Sequence, residues 1–600
     1  MFQYESLQSP KHIRIIELLP AKDDKEPLSC HLRQVDLHQM IRKDECMYEA
    51  ISYVWGESTN KVRIECNGEP LNITRNLAAA LTRFRLPDRA RALWADALCI
   101  NQGNVPEKES QVEMMGDIYR HAKTVLIWLG WENEPENATN AWRGIALLME
   151  HAFPRLSEIA AWKEKELLTI EEINDMARQE NRVQSKLRRS DLIISHFRIP
   201  RSDSVEVNSI TSLLQRPWFH RAWTFQETFL ARQRIFYCGS CEIRDEIMLK
   251  VIRSLFIISQ ATDDSRYFGL DVVMVAGMFE GKKFWARSGQ YQTLKDQLIL
   301  RRGALCERPE DRIYSLLGAC DSTYGIRPDY SGKRPYQQLY ADVAFRLMQN
   351  DSSLQLLAQA GFGLSTPNLP SWVPNWGERL RHRIISDTSK RVYSCSGSSK
   401  PQISLSDDFS ELIMTGLQYG SITAIGRHSD LGEWKEDPYE LTGEWKSTAL
   451  ARTMCADKKL FDSPSSQSRW DENSVDELNH LSITEKDGRY TAYLIATIQL
   501  NRKSRLFLLD NNALGIASET IEVEDIIVVP LGGEVPLVLR RTGERYLLVA
   551  ECYVHGIMDG EALIEKRKHA QEDYDGVDKS WLLQLHDQVM PFPTQVFSII

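Results

Sequence analysis

The sequence has no excess of positive charge. Its 73 Lys and Arg are outnumbered by 83 Asp and Glu, giving a formal charge of −10 and a pI near 5.8. That balance excludes a general nucleic-acid binder, which needs a basic face to meet phosphates. No run approaches the ~20 consecutive apolar residues of a membrane-spanning helix, so no membrane span is expected. The opening MFQYESLQSP has neither a basic start nor an apolar core, and no secretory signal is read there. The eleven cysteines are scattered and odd in number, which fits the reduced thiols of a cytoplasmic protein better than a disulfide framework. CGSC, Cys238 to Cys241, has no second CxxC and no His pair at zinc spacing, so no metal site is expected. Neither GxGxxG nor GxxxxGK(S/T) occurs, and there is no low-complexity tract or internal repeat.

What remains is an ordinary globular composition, 42% hydrophobic and 26% charged, with a rich count of 15 tryptophans. Six hundred residues exceed one hydrophobic core, so two to four domains are expected. HIRIIELLP and PLSCHLRQVDL read as strands flanking a core, within residues 1–47. YEAISYVWG, RALWAD, TVLIWLG and RQRIFYC read as further strands, the third a continuous apolar run of the buried parallel type. Between them, TRNLAAALTRFR predicts a helix capped by Thr74. A second helix opens at Pro106, with an apolar stripe of Val112, Met115, Tyr119 and Ala122. Alternating strands and helices predict an α/β domain built on a parallel sheet. It covers residues 48–240, with a charged helical insertion over about 131–215. Residues 241–380 read as mainly helical and 381–600 as β-rich, with a polar, poorly patterned stretch around 455–485.

In open parallel sheets, ligands bind beyond the carboxyl ends of the strands. Two such ends carry chemistry here. One holds Ser52, Tyr53, Trp55 and Gly56; the other, DALCINQ, holds Asp96, Cys99, Asn101 and Gln102. RPWFHRAWTFQE, read as one helix with Pro217 in its first turn, sets Trp223 and Glu227 on one face at i and i+4. Each residue also has a plain structural role open to it. Asp96 can cap a turn, Cys99 can be a small core residue, and the Trp223/Glu227 pair can be packing plus a charge. Arg216 and Arg221 can pair with Glu227 or with a phosphate.

YEAISYVWG, LWADALCINQ, EKESQVEMMGDIYRHAKTVLIWLG and RPWFHRAWTFQE, in that order over residues 48–228, resemble the successive motifs of the fungal heterokaryon-incompatibility (HET) domain. ERPEDRIYSLLG, LPSWVPNW and ECYVHGIMDGE resemble segments that flank it in long chains. The resemblance implies a role in fungal non-self recognition and programmed cell death. It also implies a distant likeness to Toll/interleukin-receptor (TIR) domains, and so a TIR-like α/β fold. Some TIR domains cleave NAD with the glutamate of a Trp-x-x-x-Glu helix, a spacing kept by Trp223 and Glu227. Thr224 stands where a cysteine often follows that tryptophan, and the 131–215 insertion is not TIR-like.

Two mechanisms follow from the resemblance. In the first, the domain hydrolyses NAD or a related nucleotide through Glu227, requiring no cofactor beyond that substrate. Ser52, Tyr53, Trp55, Gly56, Asp96, Asn101, Gln102 and Trp223 would line the nucleotide site. Glu227 would be ionised at an unperturbed pKa of about 4.3. In the second, the domain is a non-enzymatic scaffold that self-associates or meets a protein partner of the incompatibility pathway.

Overall fold

The computed structural model describes residues 2–23, 25–44, 47–57, 59–131, 135–159, 189–262, 266, 293–320, 324–361, 366, 368–379, 392–426, 437–459, 468–469, 503–563 and 594–600. The chain divides into two compact units, Met1–Gly332 and Lys333–Ile600.

The first unit is built on a nine-stranded sheet. In chain order its strands are β1 (His12–Leu18), β2 (Ser29–Asp36), β3 (Glu49–Tyr53), β4 (Lys61–Cys66), β5 (Glu69–Thr74), β6 (Arg91–Trp94), β7 (Val125–Trp128), β8 (Arg234–Cys238) and β9 (Cys241–Arg244). The spatial order is β5-β4-β2-β1-β6-β3-β7-β8-β9. The fully parallel sheet expected from sequence is corrected to a mixed one. β3 runs parallel to β6 and β7, β7 to β8, and β2 to β4. The pairs β1–β2, β1–β6, β4–β5 and β8–β9 are antiparallel. The reason lies in the connections. Asn67 and Gly68, both at positive φ, form a two-residue turn between β4 and β5, and so short a loop joins only antiparallel strands. CGSC is the same device: Cys238 pairs with Cys241 across a tight turn.

The parallel core β6-β3-β7-β8 keeps the doubly wound logic. Chain order places β3 first, yet it sits between the second strand, β6, and the third, β7. The connection after β3 runs toward β6 and that after β7 toward β8, in opposite directions, which opens a crevice at the carboxyl ends of β3 and β7. All four residues of β7 are inaccessible to solvent, as expected of a central strand covered on both faces. The helix Arg75–Phe84 is capped by Thr74, which accepts from Leu77 N. The helix Val105–His121 is capped by Asn104, and Val112, Met115, Tyr119 and Ala122 of the expected stripe are all buried.

Within the insertion, Pro135–Leu147, Arg189–His196 and Val205–Leu214 are α-helices; residues 160–188 lie outside the described residues. The reading of RPWFHRAWTFQE as one helix is corrected. Pro217–His220 is a single 3-10 turn, Arg221 is extended, and a separate helix runs Trp223–Phe229. The break is imposed from a distance. Leu305 N donates to His220 O at 2.7 Å and Ala222 N to Leu305 O at 2.9 Å, so Arg221 pairs like a strand residue.

The second unit carries an antiparallel ring of six strands: Leu412–Gly426, Ser504–Leu509, Leu514–Ser518, Arg545–Val554, Leu537–Thr542 and Ile526–Pro530. The last pairs back with the first, so the six strands close into a barrel. Leu417, Phe507, Ile527, Val529, Val538 and Ala550 fill its core. Most of the polar stretch 455–485 lies outside the described residues. No helix among the described residues is long and apolar enough to cross a membrane.

Candidate functional site

Ser52 and Tyr53 are the last residues of β3, at the mouth of the crevice. Trp218, fixed by the 3-10 turn and fully buried, donates its indole N–H to Ser52 Oγ at 2.8 Å. Ser52 in turn donates its hydroxyl to Glu227 Oε2. Because Trp218 occupies a lone pair of the serine oxygen, the serine proton is directed to the carboxylate. The helix Trp223–Phe229 thus delivers Glu227 to the carboxyl end of β3, at 3% exposure.

Burial governs the charge of this centre. Loss of water pushes the Glu227 carboxyl up to about 7, against the opposing pull of Arg221 and the Ser52 hydroxyl, with Asp96 adding a like charge nearby. The expectation of an unperturbed, fully ionised Glu227 is therefore corrected. The group is poised near neutrality, where a carboxyl can either hold or release a proton. Asp96 is raised too, by burial first, while Arg221 and its hydrogen bonds pull it down.

The loop after β6 closes the other side. Asp96 Oδ2 accepts the Trp55 indole N–H at 2.7 Å and Oδ1 accepts Ala97 N at 2.8 Å. The Tyr53 hydroxyl is buried beside Asp96 without completing a well-formed hydrogen bond. Gln102 Nε2 donates to Asp96 O at 3.1 Å, and Asn101 Oδ1 accepts Gly103 N at 3.2 Å. Those two amides brace their own loop. Gly56, at φ 77°, is exposed where the chain turns away from β3. Cys99 is inaccessible, and burial pushes its thiol up to about 12, so it is an inert core residue.

Neither arginine left open by the sequence forms a direct ion pair with Glu227 among the described residues. Arg221 donates to Tyr53 O, and Arg216 to Leu129 O at 2.7 Å and Trp131 O at 3.1 Å. Both tie backbone at the strand ends. Arg221 acts on Glu227 and Asp96 through its field alone.

The sequence reading missed a third wall, drawn from ERPEDRIYSLLG. The Trp223 side chain lies beside Asp311, which accepts the Tyr330 hydroxyl at 2.6 Å. Gln226 Oε1 accepts Gly318 N at 3.1 Å, and Arg301 lies over the Phe225 ring at 4.6 Å. The signal was present, since that segment stood out as a flanking motif. What was hidden is that it folds onto the helix bearing Glu227.

A 610 Å³ cavity opens on the opposite face of β3, lined by Trp55, Gly56, Arg63, Arg75, Asn76 and Trp131 among others. Trp55 therefore belongs both to this cavity and to the Asp96 cluster, whereas Asp96, Trp223 and Glu227 do not line the cavity.

Two family models match this chain: heterokaryon incompatibility protein (HET) over residues 48–227, and the Het-6 beta-barrel domain over residues 465–574. The first spans β3 through Glu227, and the second overlaps the closed ring of strands. The chain is a fungal HET-domain protein. It is similar to heterokaryon incompatibility protein 6, OR allele, of Neurospora crassa, with 25% identity over 674 aligned positions covering 94% of this chain and 96% of that protein. No solved structure matches.

Proposed function

We propose that this protein acts in fungal non-self recognition, and that its first unit triggers programmed cell death by hydrolysing NAD or a related nucleotide at Glu227. One observation carries the enzymatic part: a buried carboxyl, raised to about 7, held by Ser52 at the crevice of a doubly wound sheet. In the reaction, the bond between ribose C1′ and the nicotinamide nitrogen breaks and its electron pair leaves with neutral nicotinamide. The ionised carboxylate stabilises the oxocarbenium-like ribosyl centre as it forms. Water adds to C1′ and gives up one proton, leaving ADP-ribose. The resemblance to TIR domains supports the same assignment through the Trp223-to-Glu227 spacing. A cytoplasmic site of action, where NAD is available, belongs to this reading.

A second reading is favoured by the 3% exposure of Glu227. In it, the carboxyl pins the helix Trp223–Phe229 to β3, and the unit works as a scaffold that self-associates or docks a protein of the incompatibility pathway. Incubating the purified full chain with NAD and measuring nicotinamide release, beside Glu227→Gln, separates the two. Release by the native chain and its collapse in a folded variant supports hydrolysis. No release from a folded native chain, with cell death intact in the variant, supports the scaffold.

A further inference from the structure

The cavity beside β3 is lined by none of Asp96, Trp223 and Glu227, and its construction follows from the topology. It sits at the carboxyl end of the strand where the crossovers diverge, the position at which doubly wound sheets hold ligands. Its 610 Å³ falls within the roughly 300–1,000 Å³ of small-molecule sites. Two tryptophans line it. Trp55 is half-buried, its indole N–H held at 2.7 Å by Asp96, so its ring is fixed in place. Trp131 is 55% exposed at the rim, braced edge-on by Trp128 at 5.7 Å between ring centroids. An exposed tryptophan beside a cavity offers a flat apolar surface that water covers poorly.

Two guanidinium groups share the lining. Arg63 and Arg75 are exposed, and among the described residues neither lies within ion-pair distance of a carboxylate. Arg75 donates to Asn60 Oδ1 at 2.9 Å, which orients it without neutralising it. Of the two glutamates in the lining, Glu26 turns into its own loop, accepting Lys22 N at 3.2 Å and Asp23 N at 3.1 Å. Those hydrogen bonds orient Glu26 without removing its charge, so Glu26 and Glu57 both oppose the pair from their own side of the lining. The lining includes Thr74, Arg75 and Asn76, the cap and first turn of the helix Arg75–Phe84, whose dipole favours an anion there. Flat aromatic walls and two unneutralised forks describe a ligand with a planar ring at one end and phosphate at the other.

We infer that this cavity is a nucleotide site, with the base against Trp131 and Trp55 and the phosphate on Arg63 and Arg75. The inference rests on the reading that the unit handles a nucleotide, and it places that nucleotide's base and phosphate. Trp55 links the site to the carboxyl cluster, since the same indole that lines the cavity bonds Asp96, whose charge acts on Glu227.

The test uses the full chain and AMP, followed by quenching of tryptophan fluorescence, with adenosine as the uncharged control. Native protein and Glu227→Gln should bind AMP equally. Arg63→Ala combined with Arg75→Ala should weaken AMP at least tenfold and leave adenosine unchanged. Trp131→Ala should weaken both ligands. These three positions are exposed, so melting temperature should not move, and Arg63→Lys with Arg75→Lys should restore part of the affinity if any change beyond charge intrudes. No saturable AMP binding, or binding indifferent to these substitutions, overturns the inference. AMP binding without nicotinamide release would remove the hydrolase reading and leave the site standing. Nicotinamide release whose KM ignores all three positions would do the reverse.

Discussion

Ser52 joins Trp218 to Glu227: the indole N–H reaches Ser52 Oγ at 2.8 Å, and the serine hydroxyl is donated to the carboxylate. A one-way relay of donors therefore ends on the buried acid. Ser52→Ala removes its last member. The carboxylate then loses a donor that pulls its pKa down, so its midpoint should climb above about 7. If the unit is the proposed hydrolase, nicotinamide release should follow, its pH profile moving to higher pH. A buried group left without its donor costs about 1–3 kcal/mol, read as a lower melting temperature. Trp218→Phe should move the profile the same way by a smaller step, and unchanged profiles in both variants would refute the relay.

Glu227 also links stability to pH. Its folded pKa of about 7 stands above the ordinary 4.5, so the folded state holds the proton more tightly than the unfolded chain. The stabilisation is fully present below about 4.5 and is lost as pH rises through about 7. Over that window the group should withdraw about 3 kcal/mol. Glu227→Gln keeps the shape and removes the titration. The variant should show a flatter stability curve between pH 5 and 8 and equal or greater stability at pH 8. A variant less stable than the native chain at pH 8 would mean the ionised carboxylate is a structural anchor. In a competent hydrolase the same change should cut nicotinamide release a hundredfold or more, equivalent to about 2.7 kcal/mol.

Ile127 tests the sheet apart from the site. It lies in β7, inaccessible and opposite Ser52 in register. Ile127→Ala should cost about 2–5 kcal/mol by denaturant unfolding. A loss below 1 kcal/mol would contradict a packed central strand.

Gly318 tests the third wall. Its φ of −73° suits any residue, so the constraint there is space. A Cβ would meet Gly116 Cα at 2.8 Å and Gln226 Oε1 at 2.9 Å. Gly318→Ala should therefore separate the helix Asp311–Leu317 from its two neighbours, at about 1–3 kcal/mol. The expected readout is a lower melting temperature with faster proteolysis near residues 300–330.

The parallel core was legible because its strands announce themselves locally. VLIW is apolar throughout, Thr74 and Pro106 mark helix starts, and strand and helix alternate. The candidate residues Ser52, Trp55, Asp96 and Glu227 could be grouped by the rule that strand ends carry sites. The helix break at Arg221 was not legible, because Leu305 imposes it from a segment remote in sequence. Nor was the Glu227 pKa, which depends on burial in the folded unit and on Ser52, Asp96 and Arg221 brought around it. β4 and β5 were missed because KVRIEC and EPLNIT are short and bury few of their residues, at and beside the sheet edge.

The pairing of Arg221 with Leu305 separates two boundaries that are easily taken as one. The segment shared with the HET family ends at residue 227, but the fold that supports it continues to Gly332. A fragment cut at 240 would retain the whole HET match and lose the backbone partner of Arg221, the carboxylate facing Trp223 and the amide facing Gln226. The inherited signature is thus shorter than the thing that folds. A silent fragment of that length would report on missing support for Glu227, whatever the intact protein does.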